Sequence, residues 1–265
     1  TGFGDLVNVQ IDKDHLSVIQ LNLLKSHACG VGEPLDEETV RAMLVLRINA
    51  LIQGYSGTRL ETLELMSSFL EMNIIPVVFE KGSLGASGDL ALLSHMSLPL
   101  LGLGEVFYHG KRMPASKALD LSGLKALDHL APKEGLSLIN GTQGMSAVGA
   151  LVLYDAFKLL KFANLSLSLT MEALEAIVDV LNPKIHNLRH QKGQIHVAKQ
   201  IFKNLDGSLN TTHQGQIRIK DAYSIRCALQ FHGASLDALW HVLDILSNEM
   251  NAVTDNPLLF VDQLQ

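Results

Sequence analysis

Apolar side chains recur along this chain mostly at intervals of three and four residues, the spacing that lines them up on one face of an α-helix. Leu16, Ile19, Leu23 and Leu24 mark a first helix, closed by Gly30 and Gly32. Leu35-Asp36-Glu37-Glu38 opens a second with carboxylates in its first turn, where they face the positive end of the helix dipole. Val40, Met43, Leu44, Leu46 and Leu51 carry it towards Gly54, and Leu60, Leu63, Met66, Phe69 and Leu70 form a third helix that stops before Pro76. A buried helix is predicted from Asp89 to Leu101, with two short ones near Ser116–Leu121 and Gly123–Leu130. Glu105 to Arg112 alternates instead, around His109-Gly110, and predicts a small surface β-hairpin. No proline falls between Thr142 and Leu181, so that stretch predicts one helix roughly 60 Å long, ended by Asn182-Pro183. Residues 183–220 are polar and mixed, with a shorter helix near Gln194–Phe202, and a last long helix is predicted from about Ala222 to Met250. Helices of this length outrun a small globule and imply a bundle or an oligomer. No repeat, low-complexity tract or linker interrupts the pattern, so the expectation is a single, mainly α-helical domain over residues 1–265.

Composition sharpens this. Of the 265 residues 47% are hydrophobic but only 5% aromatic, so Leu, Ala, Val and Ile must build the core. With a mean hydropathy of +0.20, the balance suits packed helices or a large interface between subunits. The formal net charge is −6 and no basic stripe is present, which argues against a nucleic-acid partner. No uncharged apolar run reaches the ~18 residues of a membrane span; the nearest, Met145 to Tyr154, is too short. Two cysteines, Cys29 and Cys227, cannot form a disulfide framework and suit a reducing cytoplasm. The chain begins at Thr1, without a signal peptide, and stops at Gln265, and the expectation is a piece of a longer chain.

The candidate chemistry centres on Gly82-Ser83-Leu84-Gly85-Ala86-Ser87-Gly88-Asp89-Leu90. Ala86, Ser87 and Gly88 are small enough for the Gly88 amide nitrogen to approach the Ala86 carbonyl carbon, and glycine lacks the Cβ that would block it. Ring closure with loss of water, including the Ser87 hydroxyl, would leave a five-membered ring carrying an exocyclic methylene. The plainer reading is a loop ending in a helix cap, with Ser87 or Asp89 as the capping residue. The wider context favours the first: Gly82 to Ala91 resembles the signature of the aromatic amino-acid ammonia-lyases that carry a methylidene-imidazolone (MIO) group, and most of all their histidine-specific branch. Thr1-Gly2-Phe3-Gly4, Ser26 to Gly32, Glu134 to Gln143, Asp221 to Cys227 and Asn251 to Leu258 are similar to further segments of that family, in family order.

The resemblance implies a long-helix bundle of the fumarase/aspartase-like type, a homotetramer with each active site built from three subunits, and no external cofactor or metal. It implies that Ala86, Ser87 and Gly88 form the MIO electrophile and that Asn140 lies beside it. Arg226 would clamp the substrate carboxylate through two parallel hydrogen bonds, which lysine cannot make. Tyr223, three residues earlier, would line the site from the same helical face. His27 would contact the substrate imidazole, favouring L-histidine as substrate and trans-urocanate as product. The family's base, a Tyr, would precede Thr1, and further site residues would follow Gln265, so the 265 residues alone are expected to turn over poorly. Plainer roles also exist: surface charge for Arg226, interface packing for Tyr223, a helix N-cap for Asn140 and core packing for His27. Two departures bear on substrate choice: Lys220 stands where the family usually has Gln, and Ala228-Leu229 replaces an apolar-Pro pair. The alternatives are a phenylalanine or tyrosine ammonia-lyase, an aminomutase, or an inactive helical assembly or interaction protein of the same fold. His186 and His190 are spaced i, i+4 but lack the Glu of a His-Glu-x-x-His site, so no metal is expected there.

Overall fold

The computed structural model describes residues 8–84 and 89–260. Helices dominate it, as the spacing predicts: α1 (Leu16–His27), α2 (Glu37–Leu51), α3 (Leu60–Glu71), α4 (Leu90–Ser97), α5 (Ala115–Ser122), α6 (Glu134–Ile139), α7 (Gln143–Ala173), α8 (Pro183–Arg189), α9 (Lys192–Asn204), α10 (Tyr223–Arg226) and α11 (Ala228–Met250). The chain divides into two compact units, one of residues 1–149 and 247–265, the other of residues 150–246.

In the first unit, α2 starts at Asp36, whose carboxylate accepts the Thr39 N–H at 2.8 Å and caps the helix. Its Val40, Met43 and Leu44 pack with Met66 and Phe69 of α3, Leu93 and Met96 of α4 and Leu138 of α6, all removed from water. The predicted hairpin forms from β4 (Glu105–Tyr108) and β5 (Lys111–Pro114), with Tyr108 opposite Lys111. His109 and Gly110 both take positive φ, 50° and 70°, the requirement of a two-residue turn matching the strand twist. A third strand, β2 (Ile75–Pro76), adds to β4 and was not visible in the alternation because it is only two residues long. A second small sheet pairs β1 (Val31–Pro34) with β3 (Phe79–Lys81).

In the second unit, Val197, Ala198 and Ile201 of α9 pack with Leu167 and Met171 of α7 and Leu229 and Leu236 of α11. The Gly193 and Gly233 backbones touch so closely that a Cβ on either would collide with the other, and Asp237 Oδ1 accepts the Gly193 N–H at 2.8 Å.

Four expectations need correction. The long helix ends at Ala173, not near Leu181. Glu175 turns to φ 49°, its N–H donates to the Glu172 carbonyl at 3.1 Å, and the Ala176 N–H donates to the Met171 carbonyl at 2.8 Å. That is a Schellman stop with glutamate where glycine usually stands, so no residue type announces it. Residues 178–181 form a separate 3₁₀ turn. The helix predicted at 123–130 is absent: Gly123 adopts a left-handed φ of 72°, and Leu124 and Leu127 donate to the Leu119 and Leu100 carbonyls instead. The last helix breaks at Cys227 into α10 and α11, and α8 forms within the polar stretch, started by the Asn182 side chain accepting the Lys184 N–H at 3.0 Å. Finally, the helical run Glu134–Ala173 is long and apolar enough to cross a membrane by length and composition, but half of its most apolar window is buried within the protein.

Because Glu175 is exposed and holds a left-handed conformation that costs a side-chain-bearing residue on the order of 1 kcal/mol, Glu175→Gly is expected to stabilise the protein. Chemical denaturation should show a gain of about 0.5–1 kcal/mol.

Candidate active site

Ala86, Ser87 and Gly88, with the Thr1–Gly4 loop, lie outside the described residues. The chain on either side of the Ala-Ser-Gly segment is tightly held. Upstream, a Cβ on Gly82 would come 2.8 Å from Gly30 Cα and 3.2 Å from Ala91 Cβ, so only glycine permits that approach. Downstream, Asp89 is buried; its N–H donates to the Gly141 carbonyl at 2.9 Å. Asp89 Oδ1 accepts from Ser83 Oγ at 3.1 Å and Oδ2 accepts from the Met145 N–H at 2.8 Å. The capping role expected of Asp89 is therefore redirected. It makes no side-chain bond to α4, which it precedes, and instead satisfies an open N–H in the first turn of α7.

The Gly30 turn is fixed from a third direction. Its N–H donates to His95 Nε2 at 2.9 Å, and the His95 ring packs edge-on against Phe79 with centroids 5.1 Å apart. Accepting that bond requires Nε2 to be unprotonated, and burial pushes His95 below its ordinary value of 6.5. His27 ends α1, and its Nδ1 donates to the Leu23 carbonyl at 2.9 Å, one turn back.

Asn140 follows α6 directly, closing that helix, so the alternative of an N-cap for α7 does not apply. Its Nδ2 donates to the Asn256 carbonyl at 2.7 Å. Thr142 instead takes the N-cap position of α7: its carbonyl accepts the Ser146 N–H at 2.9 Å, while its hydroxyl donates to Glu249 Oε1 at 2.6 Å. Beneath this turn lies Arg47 of α2, fully buried. Nη1 donates to Gln143 Oε1 at 2.9 Å; Nη2 donates to the Ser137 carbonyl and, at 3.3 Å, to the Asn140 carbonyl. Asp255 Oδ1 stands 4.0 Å from Nη2. Burial pushes the guanidinium down to about 10, partly offset by Asp255, so it stays charged at neutral pH. Lys133 closes the other side, its Nζ donating to Asp255 Oδ2 at 2.9 Å, Ser137 Oγ at 2.8 Å and the Ser56 carbonyl at 2.8 Å. Sequence reasoning passed over Arg47, although a cation in the apolar row Val40, Met43, Leu44, Leu51 was a readable signal of a buried charge.

Tyr223 and Arg226 belong to the second unit and do share a face of α10: the guanidinium carbon lies 4.5 Å from the centre of the phenol ring. Tyr223 is 73% exposed, and Arg226 Nε is buried with no hydrogen-bond partner. Arg226 lines an open cleft of about 180 Å³ together with Asp179, Gln214, Lys220 and Asp221. Lys220, the departure noted in the sequence, thus faces the same space as Arg226. Asp221 is structural: Oδ2 accepts the Ile177 N–H at 2.7 Å and Oδ1 accepts from Arg218 Nε at 2.6 Å. His27 and Asn140 lie in the first unit. His186 has both ring nitrogens engaged, with the Val180 carbonyl and Gln194 Nε2, each at 2.9 Å.

A family model described as aromatic amino acid lyase matches residues 1–265. The chain belongs to that family. It is 50% identical over 260 residues to the histidine ammonia-lyase of Alkaliphilus oremlandii, covering 98% of this chain and 51% of the relative. It is 53% identical over 262 residues to that of Symbiobacterium thermophilum, covering 99% and 52%. The chain thus spans about half the length of the curated relatives it matches. Among solved structures it resembles phenylalanine aminomutase from Pantoea agglomerans, with a TM-score of 0.94 and 30% identity over 100% of this chain and 54% of that one. It also resembles histidine ammonia-lyase from Trypanosoma cruzi, with a TM-score of 0.86 and 41% identity over 96% and 47%.

His95, His186 and His232 are all pushed below 6.5, in each case first by burial. The unfolded chain then binds more protons than the folded one just below that pH, so stability is full above about pH 6.5 and falls as the pH drops. Melting temperatures measured from about pH 7.5 to 5 should decline, and His95→Gln, which keeps an acceptor for Gly30, should flatten part of that decline.

Proposed function

We propose that the full-length protein eliminates ammonia from L-histidine to give trans-urocanate, using an MIO group formed from Ala86, Ser87 and Gly88. The observation that carries this reading is the 50–53% identity to histidine ammonia-lyases across 98–99% of the chain, with the Gly82–Leu90 segment intact. The aminomutase matches with the higher TM-score, but backbone shape is common to the family, whereas identity samples the side chains that select a substrate.

Forming the ring creates a bond from the Gly88 nitrogen to the Ala86 carbonyl carbon. The Ala86 oxygen leaves as water with the amide hydrogens of Gly88 and Ser87, and the Ser87 hydroxyl leaves as a second water with the Ser87 α-hydrogen. The flanks suit such a closure: Gly82 lies against Gly30, and Asp89 is bonded through its N–H and both carboxylate oxygens, so little chain freedom remains to be lost. Once formed, the group supplies an electron-poor carbon that no ordinary side chain offers.

The remaining work falls to side chains. Arg226 binds the substrate carboxylate; its unpartnered buried Nε and its place in an open cleft support that role. Tyr223 restrains the guanidinium by stacking. Asn140, pinned through both its carbonyl and its amide nitrogen, orients the reacting groups. His27 reads the imidazole; its Nδ1 is committed to Leu23, which fixes the ring plane. The same reading includes a homotetramer, supported by exposed apolar side chains such as Val152, Leu159, Phe162 and Leu169 along α7, and a cytoplasmic location, supported by two free cysteines.

Two measurements on the full-length protein test this. Wild type should carry a near-UV band and a mass lower by two waters, and Ser87→Ala should lose both together with nearly all urocanate formation. An unmodified, hydroxyl-bearing Ser87 in intact wild-type protein would end the proposal. His27→Leu should lower kcat/KM for histidine by about 10- to 100-fold, with a smaller effect on phenylalanine; equal losses would remove His27 as the selector.

A further inference from the structure

The buried Arg47 guanidinium does more than balance charge. Its donors converge on the turn that joins α6 to α7: the Ser137 and Asn140 carbonyls and Gln143 Oε1. Behind them stands Asp255, whose Oδ1 also accepts the Asn256 N–H at 2.8 Å. The Asn256 carbonyl in turn accepts from Asn140 Nδ2. Asn140 is therefore held at its main chain by the guanidinium and at its side chain by the residue that the counter-ion positions. Gly141 extends the linkage. A Cβ there would collide with Arg47 Nη1, so the turn rests on the guanidinium itself, and the Gly141 carbonyl accepts the N–H of Asp89, the residue that follows Gly88.

We propose that Arg47 is a positioning residue for the ammonia-lyase reaction, fixing Asn140 directly and the C-terminal border of the Ala86-Ser87-Gly88 segment through Gly141 and Asp89. The inference rests on the function proposed above. It concerns both steps that depend on those two elements, ring formation and turnover. The planar fork of arginine is what the site requires, because Nη1 and Nη2 point to acceptors on different residues of one turn. Lysine would keep the charge opposite Asp255 and lose that geometry.

The test uses full-length protein and compares wild type with Arg47→Lys at equal folded fraction, judged by circular dichroism and gel filtration. Arg47→Lys should develop the near-UV band at least ~10-fold more slowly after synthesis, and fully matured protein should show kcat reduced ~10-fold or more with KM within about two-fold. A role limited to packing would lower the melting temperature and leave the band and kcat per folded molecule unchanged, and that result overturns the inference. Should Arg47→Lys fail to fold, Gln143→Ala keeps the cation and removes one acceptor; a several-fold slowing of band formation supports the proposal, and wild-type kinetics overturn it. The outcomes separate the two levels. A wild type without the band or activity defeats the function proposed above, while a normal wild type with an equally normal Arg47 variant defeats only the role of Arg47.

Discussion

A positive charge with no access to water sets the shape of the first unit. An ionised side chain moved into an apolar core is costly unless its charge is matched and its donors are used. Arg47 has one carboxylate to match its charge and places Nη1 and Nη2 on one side-chain amide and two main-chain carbonyls, leaving only its buried Nε without a partner. Lys133 shares the carboxylate and binds the Ser56 carbonyl, which brings a third stretch of chain to the same place. The turn between α6 and α7 is tied at its ends to the two helices, the Asn140 N–H donating to the Leu136 carbonyl and the Thr142 carbonyl accepting the Ser146 N–H. Between them the buried cation takes the Asn140 carbonyl.

The carboxylates perform the complementary task at helix ends. Asp89 joins the segment after Gly88 to the start of α7, and Asp221 joins the stretch before α10 to Ile177, just past the end of α7. Glu134, fully buried at the start of α6, accepts from the Arg59 N–H and Nε, Thr62 Oγ1 and the Ala131 N–H. In each case the two carboxylate oxygens take at least one backbone N–H and one side-chain donor, which is how irregular connections between helices are held at a fixed distance.

Much of the helical pattern was legible in the sequence because it depends on local periodicity: α1, α2, α3 and α9 begin and end within a few residues of where their apolar spacing and caps place them. What escaped depends on contacts far along the chain. The stop after Ala173 uses a left-handed glutamate, held where Arg218 and Thr212 bind the Glu175 carbonyl, and neither residue is local. The region 123–130 has helical residue types, but Leu127 gives its N–H to Leu100. At the candidate site, the pairing of Tyr223 with Arg226 follows from three-residue spacing alone. The apolar row around Arg47 signals a buried charge, but its partners Ser137 and Gln143, and the bond from the Met145 N–H to Asp89, span 56 or more positions and are fixed only by folding.

The linkage through Asp255 also has a bearing on biosynthesis. Chains emerge from the ribosome in order, and the early helices can pack before later ones exist. Arg47, the Asn140 turn and Asp89 are all made well before Asp255 and Asn256, so the buried cation waits more than two hundred residues for its counter-ion. The turn carrying Asn140 can reach its final hydrogen bonding only after residue 256 has been translated. A reactive group built from the neighbouring main chain would then mature late, when the surrounding half of the molecule is already in place to shield it.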